Sequence, residues 1–519
     1  MKNKKIYIVS FLLTLVCSAC NDWLDVDPKD RVREEKQYSN EDYINSALNG
    51  LYRQMAGENL YGGQLSQTSI EAMAHYYVYS SATANMPSDV ILQFSNWNYT
   101  GDKAKSKLLN IWKSGYGTLL NINNYIKGVN ESPAVLSKEH RNLLLGEAYG
   151  LRAYLHFDLF RLFGPYPYNA NATDKVLPYN READITLNHD GYEEDVYCTQ
   201  GEYIGFLQKD LEEAERLLLD DPILDPASES VTNALQDGFY KNRNRRMNYY
   251  ALKGLEARVL QYIGRDAEAA AVAKVITDRI EEDKVFHWAV KGNVVNENNY
   301  LFFSEVVFGI NNPDFRTRSK NWYLGEVITN EIYVVNENNL KKNIFKEYSS
   351  DISVDQLANL DVRAKQWGFS NLLPLGNASA LLFPSDATYV SSRYKVVANE
   401  DFSALNDFQP LLRVSEMYYI QAEEAMKQGN TTGAAGLVNK VLEKRVSSDQ
   451  YYLSADATET EIREMLTREY YREFFGEGQA WFYHKRIQSP AMVNGSREGT
   501  VGVARANYTI PVPDEEKNI

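Results

Sequence analysis

Three glutamates near the C-terminus have a spacing that could place acid–base chemistry on one helix face. Glu469, Glu473 and Glu477 follow one another at intervals of four residues, which puts them on one side of an α-helix. Hydrolysis of a glycoside needs two carboxyl groups held about 5 to 9.5 Å apart. Arg472 and Arg486 lie in the same stretch, however, and the 70 acidic residues of the chain make some such pair inevitable. We therefore interpret these glutamates as a salt-bridged structural face.

The sequence contains no recognisable motif for metal binding or nucleophilic catalysis. The histidines show neither an HExxH motif nor close pairing; they are His75, His140, His156, His189, His287 and His484. No GxSxG motif, no P-loop and no GxGxxG after a strand occurs. Asp25-Val26-Asp27 lacks the rest of a calcium loop and fits a solvated tether better. The sequence accordingly predicts no catalytic residue, no metal and no cofactor.

Aromatic side chains are the abundant groups that could hold a ligand. The 37 tyrosines outnumber the 20 phenylalanines and 7 tryptophans together, and tyrosine combines an apolar ring with a hydroxyl. Many aromatic residues fall in two irregular stretches, Tyr61–Thr100 and about 285–410. Because binding residues are often carried by loops on a rigid scaffold, this pattern predicts an aromatic surface for an amphipathic ligand.

The first 19 residues have the pattern of an export signal. Lys2, Lys4 and Lys5 precede an apolar run from Ile6 to Val16, and small residues follow it. This run of 11 residues falls short of the roughly 20 that span a bilayer. No later window comes close to that length, so we expect no transmembrane helix in the mature chain.

Cysteine usage indicates how the mature chain is held at a membrane. Ser18 and Ala19 precede Cys20 as in bacterial lipoprotein signals, so we expect acylated Cys20 to be the mature N-terminus and the lipid anchor. Cys17 leaves with the signal, which gives Cys198 no disulfide partner. The alternative is plain cleavage after Ala19, leaving a soluble protein that could bridge Cys20 to Cys198.

The charge balance argues against nucleic acid as a partner. The chain has 55 basic and 70 acidic residues in 519, a formal net charge of −15. Binding a phosphate backbone needs a basic stripe, whereas a net-acidic surface repels DNA at long range. With 44% hydrophobic and 24% charged residues, the composition is that of a globular protein with a large core.

The segment after the signal is predicted to be a tether that leads into a helix. Residues 20–38 are acidic and contain a proline, which favours an extended chain. Ser39 and Asp42 then form a capping pair. The helix should run to about Met55 and end at Gly57.

Apolar residues recur at helical spacing through the remainder of the first half. Two long stretches, 108–126 and 144–162, each keep one face apolar. Thr199 and Glu202 form a capping box before another periodic segment. We therefore expect residues 39–284 to be a helical region.

One pattern of small residues occurs twice, 165 positions apart. The residues are Ala257, Gly264, Ala269 and Ala270, and then Ala422, Gly429, Ala434 and Ala435. Small residues where two helices cross, with glycine at the turn, are typical of tetratricopeptide-type hairpins. We expect two such hairpins in one scaffold, with a loop-rich insert of about 285–410 inside a C-terminal region of 285–519. No linker separates independent domains, so a single unit is predicted.

Several segments resemble the SusD/RagB family, surface lipoproteins of Bacteroidetes that serve nutrient uptake. The resembling segments span almost the whole mature chain and are Cys20–Asp25, Ala148–Pro167, Pro410–Glu423 with Asn439, Glu469–Arg486 and Ile510–Pro511. The chain departs from the family near Tyr470, at Ala480 and at Tyr483, where the family usually has Arg, Arg and Asp. The order of the segments, rather than any one motif, makes the resemblance specific.

The resemblance implies a mainly α fold. In that fold, tetratricopeptide-like helical pairs pack on a less regular, loop-rich ligand-binding region with minor β structure. It also implies a surface-exposed lipoprotein of the cell outer membrane. Such a protein captures oligo- or polysaccharide and delivers it to a SusC-like TonB-dependent transporter, with no enzyme activity and no cofactor.

The resemblance also indicates where ligand contacts should lie. In the family they come from the loop before the 108–126 helix and the loop after the strand at Glu305–Phe308. The corresponding loops contain Trp97, Asn98 and Tyr99, and Asn321, Trp322 and Tyr323, which we predict to bind ligand. A sugar ring offers a C–H face and a rim of hydroxyls, and an aromatic platform with polar neighbours matches both. Four other tryptophans are predicted to be core residues, namely Trp23, Trp112, Trp288 and Trp481.

Two other functions remain open from the sequence. One is capture of an oligopeptide on the same scaffold, as in a RagAB-like uptake system. The other is an all-α glycoside hydrolase, which would need two of the many carboxylates at a catalytic separation.

Overall fold

The computed structural model describes residues 37–78, 89–183, 197–224, 243–296, 298–319, 322–323, 333–348, 351–369, 388–391 and 407–517. The helices are α1 Glu41–Met55, α2 Ser69–Met73, α3 Asp89–Ser95, α4 Asp102–Glu131, α5 Lys138–Phe163, α6 Gln200–Leu217, α7 Tyr249–Tyr262, α8 Asp266–Glu281, α9 Lys291–Asn296, α10 Phe315–Ser319, α11 Val354–Leu360, α12 Val414–Lys427, α13 Thr431–Leu442, α14 Glu459–Glu473, α15 Gln479–Ile487 and α16 Asp514–Lys517. The strands are β1 Lys175–Pro178, β2 Tyr197–Thr199, β3 Val306–Asn311, β4 Val335–Asn336, β5 Trp367–Phe369, β6 Thr388–Ser391, β7 Phe408–Arg413, β8 Ala491–Val493 and β9 Thr500–Gly502. The fold is mainly helical, as predicted.

Helix α1 confirms the predicted first helix, but its N-cap lies one residue later than predicted. Asn40, not Ser39, is the N-cap, because its extended backbone lets the side-chain oxygen accept from the Tyr43 N–H at 2.9 Å. The preceding tether lies outside the described residues except for Gln37 and Tyr38. Tyr38 is buried against Tyr125 of α4.

The predicted helices of the first half are confirmed in α4, α5 and α6. Helix α4 contains the periodic stretch 108–126, and α5 contains 144–162. Helix α5 ends at Gly164, as the glycine predicts. Thr199 and Glu202 form the predicted capping box at the start of α6. Almost every residue in the second half of α5 is buried, so this helix lies at the centre of the molecule.

The repeated small residues mark two helical hairpins, α7–α8 and α12–α13. Gly264 and Gly429 form the turns with φ of +82° and +75°, a left-handed conformation that side chains with a Cβ disfavour. Ala257 and Ala422 are fully buried in the first helix of each hairpin. The hairpins are adjacent because α8 packs on α12. Two parts of the chain 165 residues apart in sequence thus form one scaffold.

The predicted insert of about 285–410 is joined to this scaffold at both of its ends. Strand β3 near its start pairs antiparallel with β7 at its end, with Val306 opposite Arg413 and Ile310 opposite Gln409. Inside the insert, β6 pairs with both β4 and β5. The other two sheets are the hairpin-like pairs β1–β2 and β8–β9.

One hydrophobic core runs through the whole described part of the chain. It includes residues of both predicted regions, from Ile44 in α1 to Ile510 near the C-terminus. A second, smaller cluster forms around Val294, Tyr300 and Phe302. No helix in the described ranges combines the length and the apolar character needed to cross a bilayer.

Candidate functional site

The first predicted loop is a tight turn between α3 and α4. The Gln93 side chain of α3 caps α4, since its Oε1 accepts from the N–H groups of Lys103 and Ala104 at 3.1 and 2.9 Å. Gly101 lies so close to Gln93 that a Cβ atom there would come within 2.4 Å of Oε1. Two helices therefore fix the turn that carries Trp97 and Asn98.

Trp97 is half-buried at this turn and is held on two sides. Its indole Nε1 donates to the Met73 carbonyl at 3.2 Å, and its ring packs on the His75 imidazole with centroids 4.7 Å apart. Trp97 and His75 have φ of +51° and +61°, a left-handed conformation that costs a non-glycine residue roughly 1–3 kcal/mol. Their packing on each other fixes the orientation of the indole.

The two residues after Trp97 point to different environments. Asn98 is exposed, and its Oδ1 accepts from the Thr100 hydroxyl at 3.1 Å. Tyr99 is buried and donates its hydroxyl to the Asn507 carbonyl at 2.6 Å. Asn98 is thus the exposed polar neighbour of Trp97, whereas Tyr99 anchors the turn to the C-terminal part of the chain.

In the second predicted loop the structure describes Trp322 and Tyr323, while Asn321 lies outside the described residues. Trp322 is 6% exposed and packs against Gly63, where a Cβ atom would lie 3.1 Å from the ring. Tyr323 is 1% exposed and donates its hydroxyl to the Gln67 carbonyl at 3.3 Å. Both rings are core residues in this structure.

Residues 57–78, which we call the buried segment, bring the two loops together. Trp322 and Tyr323 contact its first half, at Gly63 and Gln67. Trp97 contacts its second half, at Met73 and His75. The assignment of the six loop residues as ligand contacts stays a prediction, but the two loops lie on one structural element.

An aromatic cluster lies behind the second loop. Its rings are those of Tyr76, Tyr77, Trp322, Tyr323, Tyr333, Trp367, Tyr471 and Phe475, with neighbouring centroids 4.5 to 6.5 Å apart. The Tyr77 and Tyr323 hydroxyl oxygens lie 3.1 Å apart.

Sequence reasoning missed His75, whose ring packs on Trp97, because only its neighbourhood in space distinguishes it from the other histidines.

The three spaced glutamates form part of a buried arginine–carboxylate cluster. The cluster consists of Arg363, Arg413, Arg445 and Arg472 with Glu305, Asp361, Glu469, Glu473 and Glu477. The salt-bridged interpretation is thus confirmed, with two corrections. The group is in the core rather than on a surface, and α14 ends at Glu473, so Glu477 is not on that helix.

Glu473 is the centre of this cluster. It lies 2.6 Å from Arg413, 2.7 Å from Arg445 and 3.1 Å from Arg363. Burial alone would raise the pKa of Glu473, but Arg445 and Arg413 outweigh burial and hold it well below its ordinary value. A buried, permanently ionised carboxylate with three arginine partners is unsuited to proton transfer to a ligand.

Cys20, the predicted lipid anchor, lies outside the described residues. Cys198 lies in β2 and is 3% exposed.

The four tryptophans that were predicted to be core residues differ in how deeply they are buried. Trp112 and Trp481 are buried, Trp288 is half-buried, and Trp23 is outside the described residues.

Two family models match this chain. Residues 22–232 match a family described as "Starch-binding associating with outer membrane", and residues 384–512 match one described as "SusD family". Together the two ranges cover about two thirds of the chain. Residues 233–383, which include most of the loop-rich insert, lie between them.

Among curated proteins, the chain is similar to SusD-like protein P38 of Formosa agariphila. The two are 26% identical over 225 residues, which is 42% of this chain and 39% of P38. SusD-like protein P2 of the same organism is 25% identical over 169 residues, 32% of this chain and 31% of P2. The chain therefore matches about a third to two fifths of these relatives' length.

Solved structures share the fold over nearly the full length. A SusD superfamily protein from Bacteroides thetaiotaomicron has a TM-score of 0.67 and 17% identity, covering 92% of this chain and 97% of its own. A putative sugar binding protein from Bacteroides vulgatus has a TM-score of 0.64 and 18% identity, covering 92% and 96%. The order of matched segments, the two family models and the shared fold agree, and the chain belongs to the SusD/RagB family.

Proposed function

We propose that this chain is a cell-surface glycan-binding lipoprotein that captures oligo- or polysaccharide and delivers it to a SusC-like TonB-dependent transporter. The outer-membrane and starch-binding description of the family that matches residues 22–232 supports this proposal. So does the naming of one structural relative as a putative sugar binding protein. In this proposal a lipid on Cys20 anchors the chain, and the protein binds its ligand without altering it.

The fixed indole of Trp97 carries the proposal. Trp97 is half-buried, its indole is oriented by His75 and Met73, and the exposed Asn98 follows it. An apolar face stacks on the C–H side of a pyranose, and a neighbouring amide can bond to its hydroxyls. This arrangement suits recognition of a sugar and contains no nucleophile.

The test is affinity electrophoresis of the purified protein in native gels that contain a panel of polysaccharides. We expect retardation by at least one glycan and an approximately ten-fold loss of affinity in Trp97→Ala, which corresponds to about 1.4 kcal/mol. Trp288→Ala is the matched control, because Trp288 is also half-buried and lies in a different part of the chain, against Tyr418. Unchanged binding in Trp97→Ala would overturn this placement of the site.

Trp322 requires a second measurement because it is buried. Trp322→Ala would leave a cavity beside Gly63 and Tyr333, so its melting temperature must be measured together with glycan affinity. If Trp97→Ala and Trp322→Ala both bind glycan like the unmodified protein, both predicted loops are wrong as ligand sites.

Assays of peptide binding and of sugar release distinguish the alternatives. Binding to peptides but to no polysaccharide would favour oligopeptide capture. Release of reducing sugar from a bound glycan would favour a hydrolase, although Glu469, Glu473 and Glu477 are at most 2% exposed and paired with arginines.

The lipid anchor has its own test. Labelled palmitate should appear on the protein in its host and be absent from the Cys20→Ala variant.

A further inference from the structure

A small polar cavity lies between the hairpin scaffold and the central helix, away from Trp97 and Trp322. It has a volume of about 20 Å³, enough for one particle somewhat larger than a water molecule. Its wall combines residues of α5, α7, α12, α14 and α15, among them Arg161, Tyr262 and Arg486. None of these belongs to the proposed glycan site.

Three buried donor groups at this cavity have no hydrogen-bond partner among the described residues. They are Nη2 of Arg161, Nε2 of Gln261 and the hydroxyl of Tyr262. The three side chains are 3 to 6% exposed. An unmet buried donor costs about 1–3 kcal/mol, so three at one small cavity indicate an acceptor that occupies it.

The Arg161 guanidinium is fixed so that only one edge is free. Its Nε donates to Asp158 at 2.7 Å, and its Nη1 donates to Gln479 at 2.9 Å. Its faces lie over the rings of Phe482 and Phe157, at 3.7 and 5.3 Å from their centroids. The remaining Nη2 group therefore cannot turn toward another partner without breaking these contacts.

The three arginines that line the cavity are each paired with a carboxylate, and one further buried cation lies on α15 without lining the cavity. Arg161, Arg258 and Arg486 are paired with Asp158, Glu416 and Glu423 respectively. This further cation is Lys485, which lies next to Arg486 in α15 and, within the described part of the chain, donates to the carbonyls of Leu162 and Gly164 at 3.0 Å. Burial lowers the pKa of Lys485 to about 7, so its charged form is held at a cost that a nearby negative charge would offset.

We propose that this cavity is a binding site for a small monovalent inorganic anion of halide size. A single anion accepts hydrogen bonds from all three free donors, whereas a water molecule accepts from at most two of them and has to donate to the Tyr262 hydroxyl. The anion also offsets the positive charge of protonated Lys485 in α15, which donates to two backbone carbonyls. Bound there, it links α5 and α7 and stabilises the junction of the hairpin scaffold with the central helix.

Bromide is the probe for this site. Crystals of the purified protein are soaked in sodium bromide, and anomalous differences are recorded at the bromine edge. We expect a peak within hydrogen-bond distance of Arg161 Nη2 and the Tyr262 hydroxyl. Ordered water at this position, with no anomalous peak, overturns the proposal.

Thermal unfolding provides the second test. At constant ionic strength, replacing chloride by gluconate, which is too large for the cavity, should lower the melting temperature of the unmodified protein. Tyr262→Phe removes one free donor without removing the ring and should reduce this dependence at least two-fold. Tyr250→Phe on the same helix is the control and should keep it. Equal chloride dependence in both variants contradicts the proposal.

Discussion

His75 and His484 are buried imidazoles close enough to interact electrostatically, one in the buried segment and the other in α15. Burial lowers the pKa of His75 from 6.5 to about 4 and that of His484 to about 3. His484 packs near the rings of Tyr471 and Tyr483. Since His75 supports Trp97, the protonation of this pair is linked to the stability of the proposed site.

Acid should therefore destabilise the protein through these histidines. Between pH 6.5 and about 4 the unfolded chain binds protons that the folded histidines do not, so stability is complete above pH 6.5 and falls as pH decreases. Each histidine should account for roughly 2–3 kcal/mol of the loss between pH 7 and 4.5. Urea unfolding of His484→Phe at both pH values should show a smaller loss than the unmodified protein. His140→Phe, at a half-exposed surface position, is the control, and an undiminished loss in His484→Phe would refute the assignment.

At the scale of elements, the hairpin turns and one stacked pair show how helices are joined. Gly264 and Gly429 end the first helix of each hairpin in the left-handed conformation. Tyr470 of α14 and Tyr483 of α15, where the sequence departs from the family, stack with centroids 4.1 Å apart and an interplanar angle of 18°. These two tyrosines thus lie in contact and form one ring pair that joins adjacent helices.

Two alanine substitutions in the second hairpin should have opposite effects. Nothing lies within 4 Å of a Cβ atom at Gly429 or at Gly436, so both tests isolate the backbone. Gly429→Ala should lower the free energy of unfolding by about 1 kcal/mol because φ is +75°. Gly436→Ala, exposed within α13, should raise it by about 0.5–1 kcal/mol. Urea unfolding measures both, and a loss of equal size in each variant would contradict the explanation.

At the scale of the whole molecule, the arginine–carboxylate cluster connects the insert to the C-terminal helices. Arg413 at the end of β7 donates to Glu477 at 2.9 Å and to Glu473 at 2.6 Å. Arg445 after α13 pairs with Glu305 and Glu473. Since these side chains are fully buried or nearly so, each charge depends on its partners for solvation.

Loss of one arginine from the cluster should be severe. Arg413→Met leaves Glu473 and Glu477 with fewer partners and should lower the free energy of unfolding by about 3–5 kcal/mol. Arg463→Met removes an exposed pair with Glu459 and should cost under about 0.5 kcal/mol. Chemical denaturation of both variants tests this prediction. Similar losses in the two would show that burial does not determine the cost.

The sequence alone determined the helical elements, because their signals are local. Capping residues, the spacing of apolar residues and glycine at turns depend on neighbours within a few positions. For this reason α4, α5, α6 and the two hairpins were predicted as helical elements, although α4 and α5 begin six residues before the periodic stretches 108–126 and 144–162, and the order of matched segments indicated the family. The Asn40 cap differs from the prediction because Ser39 and Asn40 are both good cap residues and backbone geometry selects between them.

Only the tertiary structure decided which side chains meet and how deeply they lie. The predicted loops around Trp97 and Trp322 converge on residues 57–78, and Trp322 is buried there. The partners of Glu473 and the free donors around Arg161 come from elements far apart in sequence. Burial and charge pairing arise from contacts between distant segments, and one sequence without those contacts does not specify them.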